Sequence, residues 1–352
     1  MQFGGPPPVV GIVYNTTLSR ADAALALALL YALENKREAR VASVAVTENG
    51  LGAAMFADAV SRVYQLGPPP NANRVLPIGL AADKPLPADG PSFKAVLDRV
   101  DEKGEPLFRR QIRRIPDTAE VTALMRNSFT YFPDGMVTVL LSAPATYLAR
   151  VLDYPGALEL AKAKVRTLIV SECKQDPAAM KRVIAEWPSP IVFCGRDVGE
   201  AVPYPGASID VDFDWAKSHP VVDYYKAAKS MPYDTPSQDV AAVLYAIRPK
   251  SDFFQLSEAG SIDVQDNGQM RFTPDAAGKH KRLTVDPAKK ELLLAAVREV
   301  LHTKPVAPPQ RRRLSPEEIE KLRKEREEEQ LKRELEEKKK LAAPPPTSAT
   351  MP

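Results

Sequence analysis

The chain has 352 residues with a formal net charge of +3, and 44% of them are hydrophobic and 26% charged. This balance is typical of a soluble folded protein with a large core, and it gives no reason to expect a nucleic-acid binder. Two cysteines, Cys173 and Cys194, are too few for a disulfide framework and indicate free thiols. No apolar run approaches the roughly 18 residues of a membrane span, and no signal peptide is visible. We therefore expect no membrane partner, and a protein that is either cytoplasmic or exported with its leader removed.

Short apolar runs alternate with helical patterns along most of the chain. Predicted strands lie at 9–14, 40–46, 75–78, 136–142, 165–170 and 190–194, and predicted helices at 22–33, 51–64, 119–128, 146–153, 177–186, 237–247 and 291–301. The segment 262–272, with Asp266-Asn267-Gly268 at its centre, predicts a β-hairpin. Residues 80–117 are interrupted by prolines and receive no assignment. The alternation predicts an α/β fold with a doubly wound, mostly parallel sheet.

Composition divides the chain further. We expect a flexible proline-rich N-terminus at 1–8, one large domain at 9–304, a Pro/Arg linker at 305–314, a charged helix at 315–341 and a disordered tail at 342–352. Ser315, Pro316 and Glu318 form a helix-start pattern of N-cap, first-turn proline and capping-box acid. Apolar residues do not hold a heptad seam in this helix, so a solvated helix is favoured over a coiled coil. The partner of the charged tail is unknown.

Polar residues follow three predicted strands at the point where each strand ends. They occupy 15–22, 47–49 and 142–146. Ligands of open α/β sheets bind at the carboxyl ends of the strands. Their recurrence predicts a site there without naming its chemistry.

Several segments resemble the inosine–uridine-preferring nucleoside hydrolases. The run 22–30 reads D-A-A-L-A-L-A-L-L where that family has D-D-A-L-A-L-A-L-L. Further matching segments are 41–49, 142–149, 187–193, 202–206, 219–223, 231–234 and 238–246, so that the resemblance covers about 9–301. It implies the nucleoside hydrolase type of doubly wound sheet, and also a homo-oligomer.

The resemblance implies hydrolysis of the N-glycosidic bond of a ribonucleoside by a water bound to Ca²⁺. In this sequence the metal ligands would be Asp22 and Asp239, and the partner a ribonucleoside or ribose-like small molecule. Asn49, Glu172 and Gln238 match substrate-binding positions. Hard cations such as Ca²⁺ take six to eight oxygen ligands, mostly carboxylates.

The sequence departs from this family in the loop that carries the chemistry. The family's D-T-D is Asn15-Thr16-Thr17 here, and the second residue of its D-D pair is Ala23. Thr17 takes the position of the general base, and a threonine hydroxyl is not a base near neutral pH. Two hypotheses follow: a diverged nucleoside hydrolase with weakened or altered activity, or a non-catalytic nucleoside-binding or assembly protein on the same fold. A pocket acid such as Glu48 would favour the first, and a pocket filled by Arg20 or by apolar side chains would favour the second.

The three histidines do not form a metal triad. We expect His219 to be a surface or capping residue, and His280 and His302 to be exposed.

Overall fold

A computed structural model describes residues 9–65, 77–171 and 173–307, together with residues 320, 323, 324, 328 and 332. Within them an eight-stranded sheet has the order β3-β2-β1-β4-β5-β6-β10-β7, and all its pairings are parallel except that of β10 with β7. The strands are β1 (Val10–Thr16), β2 (Ala39–Val46), β3 (Ile78–Leu80), β4 (Val137–Ser142), β5 (Val165–Ser171), β6 (Ile191–Cys194), β7 (Phe254–Leu256) and β10 (Lys281–Val285). A separate hairpin is formed by β8 (Gly260–Val264) and β9 (Met270–Pro274). The predicted α/β fold, parallel sheet and hairpin are confirmed.

Twelve α-helices occur in the described part of the chain. They are α1 (Ala21–Asn35), α2 (Leu51–Tyr64), α3 (Pro91–Leu97), α4 (Val121–Ser128), α5 (Thr146–Val151), α6 (Ala157–Lys164), α7 (Pro177–Glu186), α8 (Arg196–Ala201), α9 (Ile209–Asp212), α10 (Pro220–Ala228), α11 (Gln238–Ile247) and α12 (Lys290–His302). Two hydrophobic cores, one on each face of the sheet, join these helices to the strands.

Helix α1 lies at the centre of the larger core. Its residues from Ala21 to Leu33 are all buried, because α1 packs against α2, α10, α11 and α12 as well as β2. A helix buried all around is expected to be apolar all around, which explains its Ala/Leu composition. This packing places the first turn of α1 beside the first turn of α11.

Strand β1 is buried along its whole length, and its side chains alternate between the two cores. Tyr14 belongs to the core that holds α1, whereas Val13 belongs to the core that holds α4 and α5. Asn15 therefore shares the face of Val13. The strand also continues to Thr16, two residues beyond its predicted end.

His280 corrects one expectation. It was expected to be exposed, but it is buried because its backbone pairs with Gly260 at the base of the hairpin. His302 is exposed, and His219 caps α10, since its Nδ1 accepts the Val221 N–H at 3.2 Å. His219 is at the same time fully enclosed rather than at the surface.

The chain divides into two units, 1–307 and 308–352. Within the predicted helix 315–341 the five described residues are helical and exposed, and Lys324 Nζ lies 3.1 Å from Glu320 Oε1 in an (i, i+4) pair. The N-terminal 1–8, the tail 342–352 and most of the linker 305–314 lie outside the described residues, so the domain boundaries stay predictions. Among the described helices, none has both the length and the apolar character needed to cross a bilayer.

Candidate functional site

The loop between β1 and α1 is held in a defined conformation by its own hydrogen bonds. Leu18 has φ +54°, in the left-handed region, and its N–H donates to Thr16 Oγ1 at 3.1 Å. The Tyr224 hydroxyl donates to the Leu18 carbonyl at 2.8 Å. A non-glycine residue in this region costs about 1–3 kcal/mol and persists only where its surroundings hold it in place. The fully buried Leu18 side chain and these two bonds supply that support.

Asp22 joins the first turn of α1 to the first turn of α11. Its Oδ2 accepts the Asp239 N–H at 2.8 Å and its Oδ1 accepts the Val240 N–H at 3.2 Å. A carboxylate at a helix N-terminus satisfies free backbone donors and interacts favourably with the helix dipole. Each Asp22 oxygen therefore already accepts one backbone N–H.

Asp239 connects α11 to the carboxyl ends of two central strands. Its Oδ1 accepts hydrogen bonds from the Ser142 hydroxyl at the end of β4 and from the Ser171 hydroxyl, 3.3 Å away, at the end of β5. The structure thus brings together Asp22, Asp239 and Ser142, which sequence reasoning placed in three separate segments.

Arg20 lies across both carboxylates. Its Nη2 is 3.4 Å from Asp22 Oδ2 and 3.2 Å from Asp239 Oδ2. The Arg20 side chain is 51% exposed, whereas those of Asp22 and Asp239 are 3% and 2% exposed. Burial and the neighbouring Asp239 raise the pKa of Asp22, and Arg20 acts in the opposite direction. The guanidinium is thus the cation that compensates two buried acids, and it lies on their solvent side.

The other predicted site residues have mostly structural contacts. The Asn49 amide donates to the Thr17 carbonyl and, at 3.0 Å, to Ser19 Oγ, which ties the loop after β2 to the loop after β1. Thr17 is half-buried, and its Oγ1 accepts the Ser19 N–H at 3.3 Å. Gln238 Nε2 donates to the Cys194 carbonyl at 2.8 Å. Glu172 lies outside the described residues.

Three buried polar side chains near these strand ends have no hydrogen-bond partner within the described chain. They are the amide of Asn15, through both its oxygen and its nitrogen, and the hydroxyls of Tyr14 and Thr47. Buried polar groups are nearly always paired, with protein, ordered water or a bound molecule. These side chains are polar groups at the strand ends whose hydrogen bonds the described protein groups do not satisfy.

A cleft of about 480 Å³ opens in front of Arg20. It is lined by Arg20, Asp22, Lys174, Arg196, Thr235, Pro236, Gln238 and Gln269. This volume lies within the usual range for small-molecule sites. Glu48, the acid whose presence in the pocket would favour a diverged enzyme, is exposed and does not line the cleft.

Sequence reasoning missed five lining residues: Lys174, Arg196, Thr235, Pro236 and Gln269. The first two follow strands β5 and β6, so the rule that sites form at strand ends would have found them. Gln269 comes from the β8–β9 hairpin, and no sequence pattern links that hairpin to the sheet edge.

The residues present do not fit the calcium ion that the sequence resemblance implies. Among the described residues, no group of three or more His, Cys, Asp and Glu side chains has a metal-binding arrangement. Asp22 uses both oxygens on backbone N–H groups, and Arg20 lies against the outer oxygens of both acids. A guanidinium there opposes a divalent cation by charge and by volume.

No protein-family model matches the sequence, and no curated protein matches it either. Solved structures do match. An inosine-guanosine nucleoside hydrolase aligns with a TM-score of 0.61 at 15% identity, covering 84% of this chain and 99% of its own. The inosine-uridine preferring nucleoside hydrolase from Bacillus anthracis aligns at 0.55 and 16% identity, covering 83% of this chain and 100% of its own.

A third structural relative is the type III effector protein XopQ complexed with adenosine diphosphate ribose. It aligns with a TM-score of 0.58 at 12% identity, covering 86% of this chain and 96% of its own. Each of the three alignments covers nearly the whole of the relative. At these identities the likeness concerns the fold, and it agrees with the resemblance read from the sequence. The chain has the nucleoside hydrolase fold.

Proposed function

We propose that this chain binds a ribose-containing small molecule in the cleft in front of Arg20, without calcium and without hydrolysing it. The observation that carries this proposal is the position of the Arg20 guanidinium, 3.4 Å from Asp22 and 3.2 Å from Asp239. In this reading Arg20 replaces a metal ion as the positive charge of the site.

An arginine supplies charge but not the other properties of a metal ion. Its guanidinium has five N–H donors in a fixed plane, no acceptor, and no tendency to lose a proton near neutral pH. It can therefore bind sugar hydroxyls or anions, but it does not lower the pKa of a bound water as a divalent cation does. The site can thus still bind a sugar hydroxyl or an anion through Arg20, but it does not activate a water molecule.

General-base catalysis also lacks a group to perform it among the residues that meet at Arg20. Thr17 is a hydroxyl, and both Asp22 oxygens already accept backbone N–H groups. Asp239 accepts from Ser142, Ser171 and Arg20. A positioned base contributes about 10²–10⁴ to a rate, so its loss is sufficient to make hydrolysis slow.

A ribose-like ligand is supported by the lining of the cleft and by the structural relatives. Thr235, Gln238 and Gln269 bring polar side chains to the cleft, as recognition of sugar hydroxyls requires. The relatives include nucleoside hydrolases and an effector protein bound to adenosine diphosphate ribose. Nucleosides and adenosine diphosphate ribose both contain ribose.

The test is calorimetric titration of the full chain with ribose, adenosine and adenosine diphosphate ribose, with calcium or with EDTA, together with chromatographic detection of released ribose. We expect at least one compound to bind equally well in EDTA, and no release of ribose. Arg20→Ala is expected to weaken binding by about tenfold, the value of one charge-assisted hydrogen bond. Arg109→Ala, which alters an exposed arginine away from the cleft, is the matched control.

Calcium-dependent release of ribose that is lost in Asp239→Ala would overturn the proposal and establish a diverged hydrolase. Failure of all three compounds to bind would overturn it as well, and would direct attention to an assembly role.

A further inference from the structure

Lys174 and Arg196 form a cationic edge of the cleft. Lys174 follows β5, and Arg196 is the first residue of α8, which follows β6. Strands β5 and β6 pair in parallel, so their carboxyl ends are neighbours about 4.8 Å apart. Two positive side chains thus come from adjacent strand ends and line one cavity.

The charges of this cationic edge are available to a ligand. Within the described residues Lys174 has no acidic partner, and Arg196 uses only its Nε, which donates to Glu200 Oε1 at 2.8 Å. The side chain of Arg196 is 71% exposed, so this intrahelical pair holds the guanidinium only weakly. Its two Nη groups, a planar pair suited to an anionic group, have no partner in the described chain.

The β8–β9 hairpin fixes the backbone of Lys174. Gly268 has φ +79°, and a Cβ added there would lie 2.0 Å from the Lys174 carbonyl oxygen. Position 268 therefore requires glycine for two reasons: the positive φ, and the close approach of the Lys174 carbonyl. Because the next residue, Gln269, lines the cleft, the hairpin and the Lys174 segment form one wall of it.

The acids of the site lie behind its cations. Of the eight lining residues three are cations and one, Asp22, is an acid. Asp22 and Asp239 are almost fully buried and bonded to backbone, serine and Arg20 groups. A ligand that enters the cleft therefore meets Arg20, Lys174 and Arg196 first. An uncharged nucleoside has no anionic group that would pair with Lys174 and Arg196, whereas a phosphate ester has one.

We propose that the ligand is a phosphorylated ribose derivative, whose phosphate binds Lys174 and Arg196 while its ribose contacts Arg20 and Gln238. This inference rests on the proposed binding function and adds the ligand class to it. Phosphate accepts charge-assisted hydrogen bonds from Lys and Arg side chains, and such bonds are about twice as strong as neutral ones.

The experiment titrates the full chain with ribose 5-phosphate, adenosine diphosphate ribose, ribose, adenosine and inorganic phosphate. The test variant is Lys174→Gln combined with Arg196→Gln, which keeps polar side chains at both positions but removes both charges. The matched control is Lys162→Gln combined with Arg109→Gln, which removes two exposed charges outside the cleft. Thermal unfolding of each variant shows whether it is folded.

We expect ribose 5-phosphate or adenosine diphosphate ribose to bind at least about tenfold more tightly than ribose or adenosine, and the test variant to remove that preference. The preference should also weaken at high ionic strength, because salt screens exposed charges. Arg196→Lys keeps the positive charge, so it should retain much of the preference for phosphorylated compounds.

Three outcomes would overturn the inference in distinguishable ways. Equal binding of phosphorylated and unphosphorylated compounds, unchanged in the test variant, would leave the proposed function standing and remove only the phosphate. If no ribose compound binds, the proposed function and this inference fail together. Binding of inorganic phosphate as tight as that of ribose 5-phosphate would indicate an anion site with no role for ribose.

Discussion

The backbone N–H of Asp239 donates to the Asp22 carboxylate at 2.8 Å across a sequence separation of 217 residues. This bond places the two acids at the meeting point of α1 and α11, where their charges repel each other. Arg20, two residues before Asp22, bonds to both and compensates them. Stability and the proposed ligand binding at this site therefore depend on the same arginine.

Arg20→Ala should destabilise the fold in a pH-dependent way. Removing the cation leaves two nearly buried carboxylates facing each other, which costs several kcal/mol when all groups are buried. Because Arg20 is half exposed, water compensates part of this, and we expect a loss of about 1–3 kcal/mol at pH 8. The loss should be smaller at pH 5, because the raised pKa of Asp22 leaves that acid protonated there with or without the guanidinium, so that the repulsion between the two acids is absent. Urea unfolding at both pH values measures it, and an equal loss at both would contradict the charge argument.

Calcium should stabilise Arg20→Ala but not the unaltered chain. Once the guanidinium is gone, two carboxylates and the Ser142 and Ser171 hydroxyls present oxygen atoms to a hard cation. Ligand at about ten times its dissociation constant adds roughly 1.4 kcal/mol, enough to raise the melting temperature measurably. Thermal unfolding with and without CaCl₂ tests this, with Arg109→Ala as control. A calcium-dependent rise in the unaltered chain would mean that Arg20 does not exclude the ion.

His219 should make the fold sensitive to acid. Burial lowers its pKa to about 3, and it lies against Phe213, Tyr64 and Trp215. In the folded state the ring stays neutral, whereas the unfolded chain takes up a proton below about pH 6.5. The contribution of neutral His219 to the free energy of unfolding is therefore fully present above about pH 6.5. It is lost as the pH falls toward 3, and about 2 kcal/mol of it is lost at pH 5.

The test of the His219 prediction is His219→Asn, because asparagine retains the ability to cap α10. The variant should be less stable at every pH, since it loses aromatic contacts. Its free energy of unfolding should nevertheless fall less than that of the unaltered chain between pH 7.5 and pH 5. Parallel pH profiles would show that His219 is protonated in the fold.

Gly268→Ala should disturb the cleft through the Lys174 backbone. The added Cβ meets the Lys174 carbonyl in addition to the strain of a φ of +79°. Gly104→Ala is a matched control, because Gly104 also has φ +79° but would meet no atom within 4 Å. We expect Gly268→Ala to cost at least about 1 kcal/mol more than Gly104→Ala.

The two glycine variants should also differ in binding. Only Gly268→Ala should weaken binding of ribose 5-phosphate, because it moves the segment that carries Lys174. If calorimetric titration gives the same affinity for ribose 5-phosphate in both variants, the hairpin does not shape the binding cleft.

The local pattern predicted much of the fold. The bounds of α2 and α7 agree with prediction, since a periodic apolar face begins and ends clearly in each. The strand predicted at 75–78 overlaps β3 only at Ile78, because β3 begins there. Residues 75 and 76 of that prediction lie outside the described part of the chain.

The missed elements have weak local signals. Helix α6 is short and half exposed, and β10 carries charged and half-buried residues between β6 and the antiparallel β7. Their positions depend on the sheet edge they join rather than on their own sequence. The hairpin was predicted because Asp266-Asn267-Gly268 is a strong turn signal, but its contact with Lys174 was not.

The sequence by itself determined the alternation of strands and helices, the resemblance to nucleoside hydrolases, and the replacement of acidic positions by Asn15, Thr17 and Ala23. These are properties of residue type and order along the chain. Only the tertiary structure decided that Arg20 occupies the space beside Asp22 and Asp239, and that Lys174, Arg196 and Gln269 share a cleft. The physical reason is that electrostatic compensation depends on distances between side chains, and folding of the sheet and packing of α1 on α11 set those distances across two hundred residues of sequence.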